Sequence, residues 1–198
     1  MPEKKGPTDR IFTIPNLISL ARIFIIPFFL WLLISSKPVA ALAVFTAAAL
    51  TDLLDGLAAR LLRQKSKLGA LLDPAGDKLL MTAALIGLSL PSLDLPNLIP
   101  LWLTVIIIAR DLFIVGSALF LYKTQGQSSF PPTFLGKLTT FTQMSVLVLV
   151  LLCNAANKTA LILNWTYVLA AGLTILSWLQ YGYIGLKLRK ISFKRSDQ

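Results

Sequence analysis

Two apolar segments separated by a short basic stretch decide the fold of this chain. Residues 38–62 read PVAALAVFTAAALTDLLDGLAARLL, and residues 68–90 read LGALLDPAGDKLLMTAALIGLSL. Each is at least as long as the roughly 20 mainly apolar residues that an α-helix needs to cross a bilayer. Both segments also carry carboxylates, which are costly in an apolar environment unless they are paired or bind a metal. The same two segments therefore predict membrane helices and the place of the chemistry.

Further apolar segments of comparable length extend this pattern along the chain. They cover residues 17–35, 98–122, 135–154 and 161–186. We therefore predict an all-α integral membrane protein with six transmembrane helices, forming a single membrane domain over residues 1–198. Residues 11–16 predict either a short N-terminal interfacial helix or a simple entry into the first span.

The composition excludes an ordinary soluble domain and several kinds of catalysis. The chain is 56% hydrophobic and 14% charged, with a mean hydropathy of +0.73, whereas soluble domains average about 25% charged residues. It contains no His, which excludes His-based acid–base catalysis, His metal ligands and Ser–His or Cys–His pairs. Cys153 is the single cysteine, so neither an intrachain disulfide nor a CxxC site can form.

The basic excess predicts the orientation in the membrane. Lys and Arg outnumber Asp and Glu by 19 to 9, giving a formal net charge of +10. With an even number of spans both ends share one side, and the opposite side receives only Lys37 and Lys158. Because basic flanks stay on the cytoplasmic side, we expect both termini there. Topology and contact with anionic lipid account for most of the positive charge. No soluble domain carries it, so no nucleic-acid partner is expected. No transit-peptide composition precedes the first span, which favours the cytoplasmic (inner) membrane of a prokaryote.

Five carboxylates fall inside apolar segments: Asp52, Asp55, Asp73, Asp77 and Asp111. The first two are spaced i,i+3 and the next two i,i+4, so each pair shares one face of its helix. A short basic turn joins the two helices, which places both pairs near one membrane edge. Oxygen ligands without His or paired Cys favour a hard divalent ion, Mg²⁺ or Mn²⁺. Two such ions could clamp a phosphate or pyrophosphate.

Charge pairing is the alternative explanation for these acids. Asp77 could pair with Lys78 or Arg60, and Asp111 could pair with Arg110. The regular spacing disfavours this alternative for the four acids of the two helices. For Asp111 it is a serious competitor, because its neighbour in the chain is a cation.

The spacing of these residues is similar to the signature of the CDP-alcohol phosphatidyltransferase family. The pattern D-x2-D-G-x2-A-R-x8-G-x3-D-x3-D is matched at every fixed position, by Asp52, Asp55, Gly56, Ala59, Arg60, Gly69, Asp73 and Asp77. At ordinary residue frequencies such a match arises by chance on the order of 10⁻¹⁰ times per starting position. The resemblance is therefore specific, and the predicted span layout extends it over almost the whole chain.

The resemblance implies an enzyme that transfers the phosphatidyl group of CDP-diacylglycerol to an alcohol and releases CMP. It implies two divalent ions, Mg²⁺ or Mn²⁺, with four metal ligands: Asp52, Asp55, Asp73 and Asp77. Asp77 matches the general base that deprotonates the acceptor hydroxyl. CDP would be bound by Asp52, Gly56, Ala59, Arg60 and Gly69. Family members usually form homodimers, so a homodimer is expected.

Weaker similarities bear on the acceptor. Residues 15–22, PNLISLAR, resemble the P-N-x2-[TS]-x2-R opening of phosphatidylglycerophosphate synthases, and residues 136–143, GKLTTFTQ, resemble their G-K-x-K-T-x2-Q motif. These place glycerol 3-phosphate first as the acceptor, with Arg110 and Lys137 binding its phosphate. The chain departs from those enzymes where Asp111 replaces their usual Glu, and where Phe120 replaces an Arg.

Two other functions are kept as alternatives. The chain is also similar to eukaryotic-type cardiolipin synthases, whose acceptor is phosphatidylglycerol, at residues 51–56, 110–111 and 132–134 and at Lys137. A small transporter or channel component would instead use the acids as an ion path, but such paths cross the bilayer and these acids cluster at one edge. Without acceptor binding, Arg110 would pair with Asp111, and Lys137 would be a helix-flanking anchor.

Overall fold

The computed structural model describes residues 14–62, 69–125 and 133–196, and all regular secondary structure in these ranges is α-helical. It describes side-chain surroundings for residues 23–51, 76, 78–119 and 133–185. The helices in chain order are α1 (Ile14–Ile34), α2 (Pro38–Leu62), α3 (Gly69–Leu88), α4 (Leu101–Gln125), α5 (Phe134–Ala155) and α6 (Ile162–Ser196). The predicted all-α fold class is confirmed.

Most helix ends lie close to the predicted span ends. The main difference is α6, which continues through the basic tail to Ser196 instead of ending at residue 186. A helix does not have to end where its apolar sequence ends, and the tail contains no Gly or Pro that would stop it. Residues 14–16 form the first turn of α1, while residues 11–13 of the predicted interfacial helix lie outside the described residues.

Among the residues whose side chains are described, three helical stretches are long and apolar enough to cross a membrane: Leu101–Leu119, Phe134–Ala155 and Ile162–Gly185. Within the described side chains, α1, α2 and α3 contribute shorter apolar stretches: Ile23–Ile34, Pro38–Thr51 and Lys78–Leu88. The acidic motif occupies the remaining parts of α2 and α3. The membrane character is thus supported by three helices, and the number of six spans stays a prediction.

The first of two compact units contains α1, α2, α3, the segment up to residue 98 and residues 150–159. Helix α1 packs against both α2 and α3. The rings of Phe29 and Phe45 meet in its core with centroids 5.7 Å apart. At Gly87 of α3, an added Cβ would lie 2.9 Å from Cδ2 of Leu30 and 3.1 Å from Cδ1 of Leu33. This glycine therefore permits the close approach of α1 and α3.

The second compact unit contains α4, α5 up to residue 149, and α6. Helix α4 packs against α6, where the rings of Phe113 and Trp178 have centroids 5.8 Å apart. The interior of this unit also holds buried polar side chains: Arg110, Thr139, Gln143, Thr174 and Ser177. Burying polar groups in a membrane bundle is costly unless they are hydrogen-bonded, so this set marks a candidate site. The single-domain organisation over residues 1–198 stays a prediction.

Candidate active site

The acidic motif lies at the ends of two helices that are consecutive in the chain. Asp52 and Asp55 lie in α2, which ends at Leu62, while Asp73 and Asp77 lie in α3, which begins at Gly69. Both pairs therefore have the helical backbone that their i,i+3 and i,i+4 spacing predicts. The side chains of all the predicted metal and CDP ligands lie outside the described ones: Asp52, Asp55, Gly56, Ala59, Arg60, Gly69, Asp73 and Asp77. The alternative pairing of Asp77 with Arg60 falls on the same side chains.

The donor chemistry of this motif fits a divalent metal. The chain between the end of α2 and the start of α3 can span at most about 25 Å even when fully extended. Both helices also contact α1. The motif's four carboxylates are oxygen donors of the kind that Mg²⁺ and Mn²⁺ prefer. The motif is therefore the candidate metal centre; among the described side chains, which do not include it, there is no group of three or more acids, His or Cys that could hold a metal.

Arg110 forms the ion pair that was the alternative to acceptor binding. Its Nη1 donates to Oδ1 of Asp111 at 2.8 Å, and the two side chains are 5% and 18% exposed. Its Nη2 donates to Oγ of Ser177 at 2.6 Å. Its guanidinium carbon lies 5.5 Å from the centre of the Tyr181 ring, a cation–π arrangement. Three contacts from two helices therefore fix the orientation of this guanidinium.

One nitrogen of the Arg110 guanidinium, the buried Nε, has no hydrogen-bond partner in the described part of the chain. Buried polar atoms in folded proteins are rarely left unpaired. The ion pair with Asp111 and a contact with substrate are therefore compatible, because they can use different nitrogens of the same guanidinium.

Lys137 lies exposed in the first turn of α5. Thr133 caps this helix, since its Oγ1 accepts a hydrogen bond from the Gly136 backbone N–H at 3.0 Å. The positive end of the helix dipole and the Lys137 ammonium thus belong to the same turn. Both roles considered for Lys137, anion binding and membrane anchoring, are consistent with this position.

Gln143, the last residue of the G-K-x2-T-x2-Q motif, points into the second unit. It is fully buried, and its Nε2 donates to Oγ1 of Thr174 at 3.1 Å. Its Oε1 has no hydrogen-bond partner within the described residues. The motif therefore combines an exposed cation at its start with a buried amide two helical turns further on.

Ser177 and Tyr181, which contact Arg110 from α6, were not among the residues predicted from the sequence. With Thr174 they are spaced i, i+3 and i+7, so they share one face of the helix. Polar residues at this spacing in an apolar helix predict a polar face that packs against other protein groups. The role of this face depends on Arg110 lying opposite it, and that follows only from the structure.

Comparison with known proteins agrees with the motif. The CDP-alcohol phosphatidyltransferase family profile matches residues 12–176. A cardiolipin synthase (CMP-forming) of Streptomyces coelicolor is 34% identical over 194 residues, covering 92% of this chain and 86% of that protein. A human cardiolipin synthase (CMP-forming) is 33% identical, covering 89% of this chain and 62% of its own. A probable phosphatidylglycerophosphate synthase of Mycobacterium tuberculosis is 37% identical over 140 residues, covering 68% of this chain and 63% of that protein.

The chain belongs to the CDP-alcohol phosphatidyltransferase family. It is an enzyme of phospholipid biosynthesis, a CDP-diacylglycerol-dependent phosphatidyltransferase, as its motif predicted. The family uses a divalent metal, CDP-alcohol donors and lipid acceptors. Family membership thus decides between the enzyme and the transporter or channel component in favour of the enzyme.

Proposed function

We propose that this protein is a cardiolipin synthase that transfers the phosphatidyl group of CDP-diacylglycerol to phosphatidylglycerol and releases CMP. The observation that carries the proposal is the similarity to the CMP-forming cardiolipin synthase of Streptomyces coelicolor, which extends over 92% of this chain. This choice differs from the sequence analysis, which placed glycerol 3-phosphate first.

The surroundings of Arg110 support a lipid acceptor. Glycerol 3-phosphate carries a phosphomonoester of nearly two negative charges, which calls for uncompensated cations. The charge of Arg110 is already balanced by Asp111 at 2.8 Å. Phe120 stands where the similar phosphatidylglycerophosphate synthases carry a further Arg. Phosphatidylglycerol carries a single negative charge on a phosphodiester, which fewer cations can satisfy.

The reaction requires one proton transfer and one exchange at phosphorus. A hydroxyl oxygen of the acceptor glycerol bonds to the phosphatidyl phosphorus, and its proton passes to the Asp77 carboxylate. The bond from that phosphorus to the bridging pyrophosphate oxygen breaks, and this oxygen leaves with CMP. Asp77 is assigned as the base because His is absent from the chain and Asp77 occupies the family's base position.

We assign the metal and nucleotide ligands from the motif. Asp52, Asp55, Asp73 and Asp77 would hold two ions, Mg²⁺ or Mn²⁺. When bound, these ions supply positive charge that neutralises the pyrophosphate and the departing CMP. Asp52, Gly56, Ala59, Arg60 and Gly69 would bind the CDP group. Arg110 and Lys137 would bind the phosphate of the acceptor.

The proposal extends to the whole protein in the membrane. The chain would form a single domain with six spans in a prokaryotic cytoplasmic membrane, with both termini in the cytoplasm. It would act as a homodimer, as members of the family usually do. The excess of basic residues on the predicted cytoplasmic side supports this orientation.

Glycerol 3-phosphate is the second candidate acceptor. It is favoured by the P-N-x2-S-x2-R and G-K-x2-T-x2-Q segments and by the similarity to the Mycobacterium tuberculosis protein named a probable phosphatidylglycerophosphate synthase. The exposed Lys137 at the start of α5 could supply a cation for its phosphate.

An acceptor panel tests the proposal. Purified enzyme in detergent–lipid micelles receives CDP-diacylglycerol and Mg²⁺ with either phosphatidylglycerol or glycerol 3-phosphate. We expect cardiolipin and an equal amount of CMP with phosphatidylglycerol, identified by mass spectrometry of the lipid product. Phosphatidylglycerophosphate as the main product would instead establish the second candidate.

A further inference from the structure

Tyr181 touches both segments that carry the proposed acceptor-binding cations. It lies in α6, is 9% exposed, and presents its ring face to Arg110 with the guanidinium carbon 5.5 Å from the ring centre. Its hydroxyl oxygen lies 3.5 Å from the Thr133 backbone nitrogen, a long hydrogen bond at the start of α5. One side chain thus connects α4, α5 and α6 within the second unit.

Gly136 makes the approach of this phenol possible. A Cβ added at Gly136 would lie 2.7 Å from the Tyr181 hydroxyl oxygen, 3.2 Å from its Cε2 and 3.0 Å from Oγ1 of Thr133. The first distance is shorter than real Cβ contacts, so a side chain at this position would have to displace the phenol. Lys137 follows directly in the chain, so the position of the phenol and the position of this turn depend on each other.

The phenol has little freedom to move away. Its ring lies against Arg110, and Asp111 and Ser177 hold that guanidinium at 2.8 Å and 2.6 Å. A displaced ring would therefore lose the cation–π contact or push the guanidinium off its partners. Packed contacts of this kind transmit a change at one end to the other end.

We infer that Tyr181 is a positioning residue of the acceptor site, which sets the placement of Arg110 relative to the Gly136–Lys137 turn. This rests on the proposed function to the extent that Arg110 and Lys137 bind the acceptor phosphate. Tyr181 acts through these two cations and does not itself have to touch the substrate. Its loss therefore weakens use of the acceptor and leaves use of the donor unchanged.

The first experiment compares Tyr181→Leu with Tyr181→Phe in the full-length enzyme. Leu removes the ring and the hydroxyl, whereas Phe keeps the ring on Arg110. We expect Tyr181→Leu to raise the acceptor KM on the order of tenfold, the size of a buried cation–π contact, with the KM for CDP-diacylglycerol unchanged. Tyr181→Phe should largely restore the acceptor KM. Tyr183→Leu, at a position 68% exposed on the same helix, is the matched control and should behave as wild type.

The second experiment tests the steric contact and stays informative if Tyr181→Leu fails to fold. Gly136→Ala alone should raise the acceptor KM about as much as Tyr181→Leu, because the new Cβ meets the phenol oxygen. Combining Gly136→Ala with Tyr181→Phe removes that oxygen and should bring the acceptor KM back toward that of Tyr181→Phe. Additive losses in the double variant, or equal changes in both KM values, would overturn the inference.

The outcomes separate this inference from the proposed function. If wild-type enzyme makes phosphatidylglycerophosphate from glycerol 3-phosphate and no cardiolipin, the proposed acceptor is wrong. The same variants are then compared with glycerol 3-phosphate as the acceptor. If Tyr181→Leu and Tyr183→Leu have the same acceptor KM, measured with whichever acceptor the wild-type enzyme uses, the positioning role of Tyr181 is rejected. The proposed function is not affected by that result.

Discussion

At the scale of single residues, Arg110 has the best-defined surroundings, since Asp111, Ser177 and Tyr181 all contact its guanidinium. The sequence predicts Asp52, Asp55, Asp73 and Asp77 as metal ligands, because their intervals match helical faces and a family pattern. Ser177 and Tyr181 were not found, because a lone Ser or Tyr in an apolar helix has many ordinary roles. Their role appears only once α4 and α6 pack together and place them around Arg110.

The ion pair between Arg110 and Asp111 predicts a stability effect. Asp111→Ala leaves a guanidinium that is 5% exposed without its counter-charge. We expect a loss of about 3 kcal/mol in the free energy of unfolding, since breaking a buried pair strands a charge. The measurement is denaturant unfolding in detergent micelles.

Two controls decide whether the pair causes this loss. Asp94→Ala removes an exposed acid, and we expect a change within about 0.5 kcal/mol. The double variant Arg110→Leu/Asp111→Leu removes both charges and should lose less stability than Asp111→Ala. If Asp111→Ala matches Asp94→Ala, the pair does not stabilise the fold.

At the scale of helices, hydropathy alone located the six helices that the structure describes. It could not locate the end of α6, because the basic tail leaves the apolar pattern while the helix continues to Ser196. It also gave no helix-to-helix contacts. The close packing of α1 on α3 depends on Gly87. Nothing in the sequence distinguishes this glycine from the other ten.

A larger side chain at Gly87 should disturb the packing of α1 against α3. Gly87→Val adds a branched side chain where a Cβ alone would lie 2.9 Å from Leu30. We expect a loss of about 1–3 kcal/mol in unfolding free energy, the usual cost of overpacking. Transfer activity should also fall, because α3 carries Asp73 and Asp77. Thermal unfolding and CMP release measure the two effects.

Gly116 is the matched control for this prediction. It lies inside α4, and an added Cβ there would meet nothing within 4 Å. Gly116→Ala should therefore leave activity unchanged and raise stability by up to about 1 kcal/mol, because Ala favours a helix more than Gly does. Equal effects of the two substitutions would show that α1 and α3 are not closely packed at Gly87.

At the scale of the whole molecule, the apolar composition of the chain suits the lipid substrate of the reaction. A chain that is 56% hydrophobic with long apolar helices is suited to a substrate whose acyl chains stay in the bilayer. The chain has only nine acidic residues, and four of them lie within 26 consecutive positions, 52–77. This concentration distinguishes the motif from the rest of the chain. In the proposed function, the carboxylates of this motif hold the divalent ions that neutralise the pyrophosphate.

The most direct test of the account is CMP release by Asp77→Asn compared with wild type. The assay uses purified full-length enzyme, CDP-diacylglycerol, the acceptor in use and Mg²⁺, with Asp94→Asn as the exposed-acid control. We predict that Asp77→Asn loses at least about 10²-fold in rate, the usual contribution of a general base, that Asp94→Asn stays at the wild-type rate, and that chelator stops wild-type turnover. Full activity of Asp77→Asn, or turnover that chelator does not affect, would contradict a metal-dependent transfer by the carboxylates of α2 and α3.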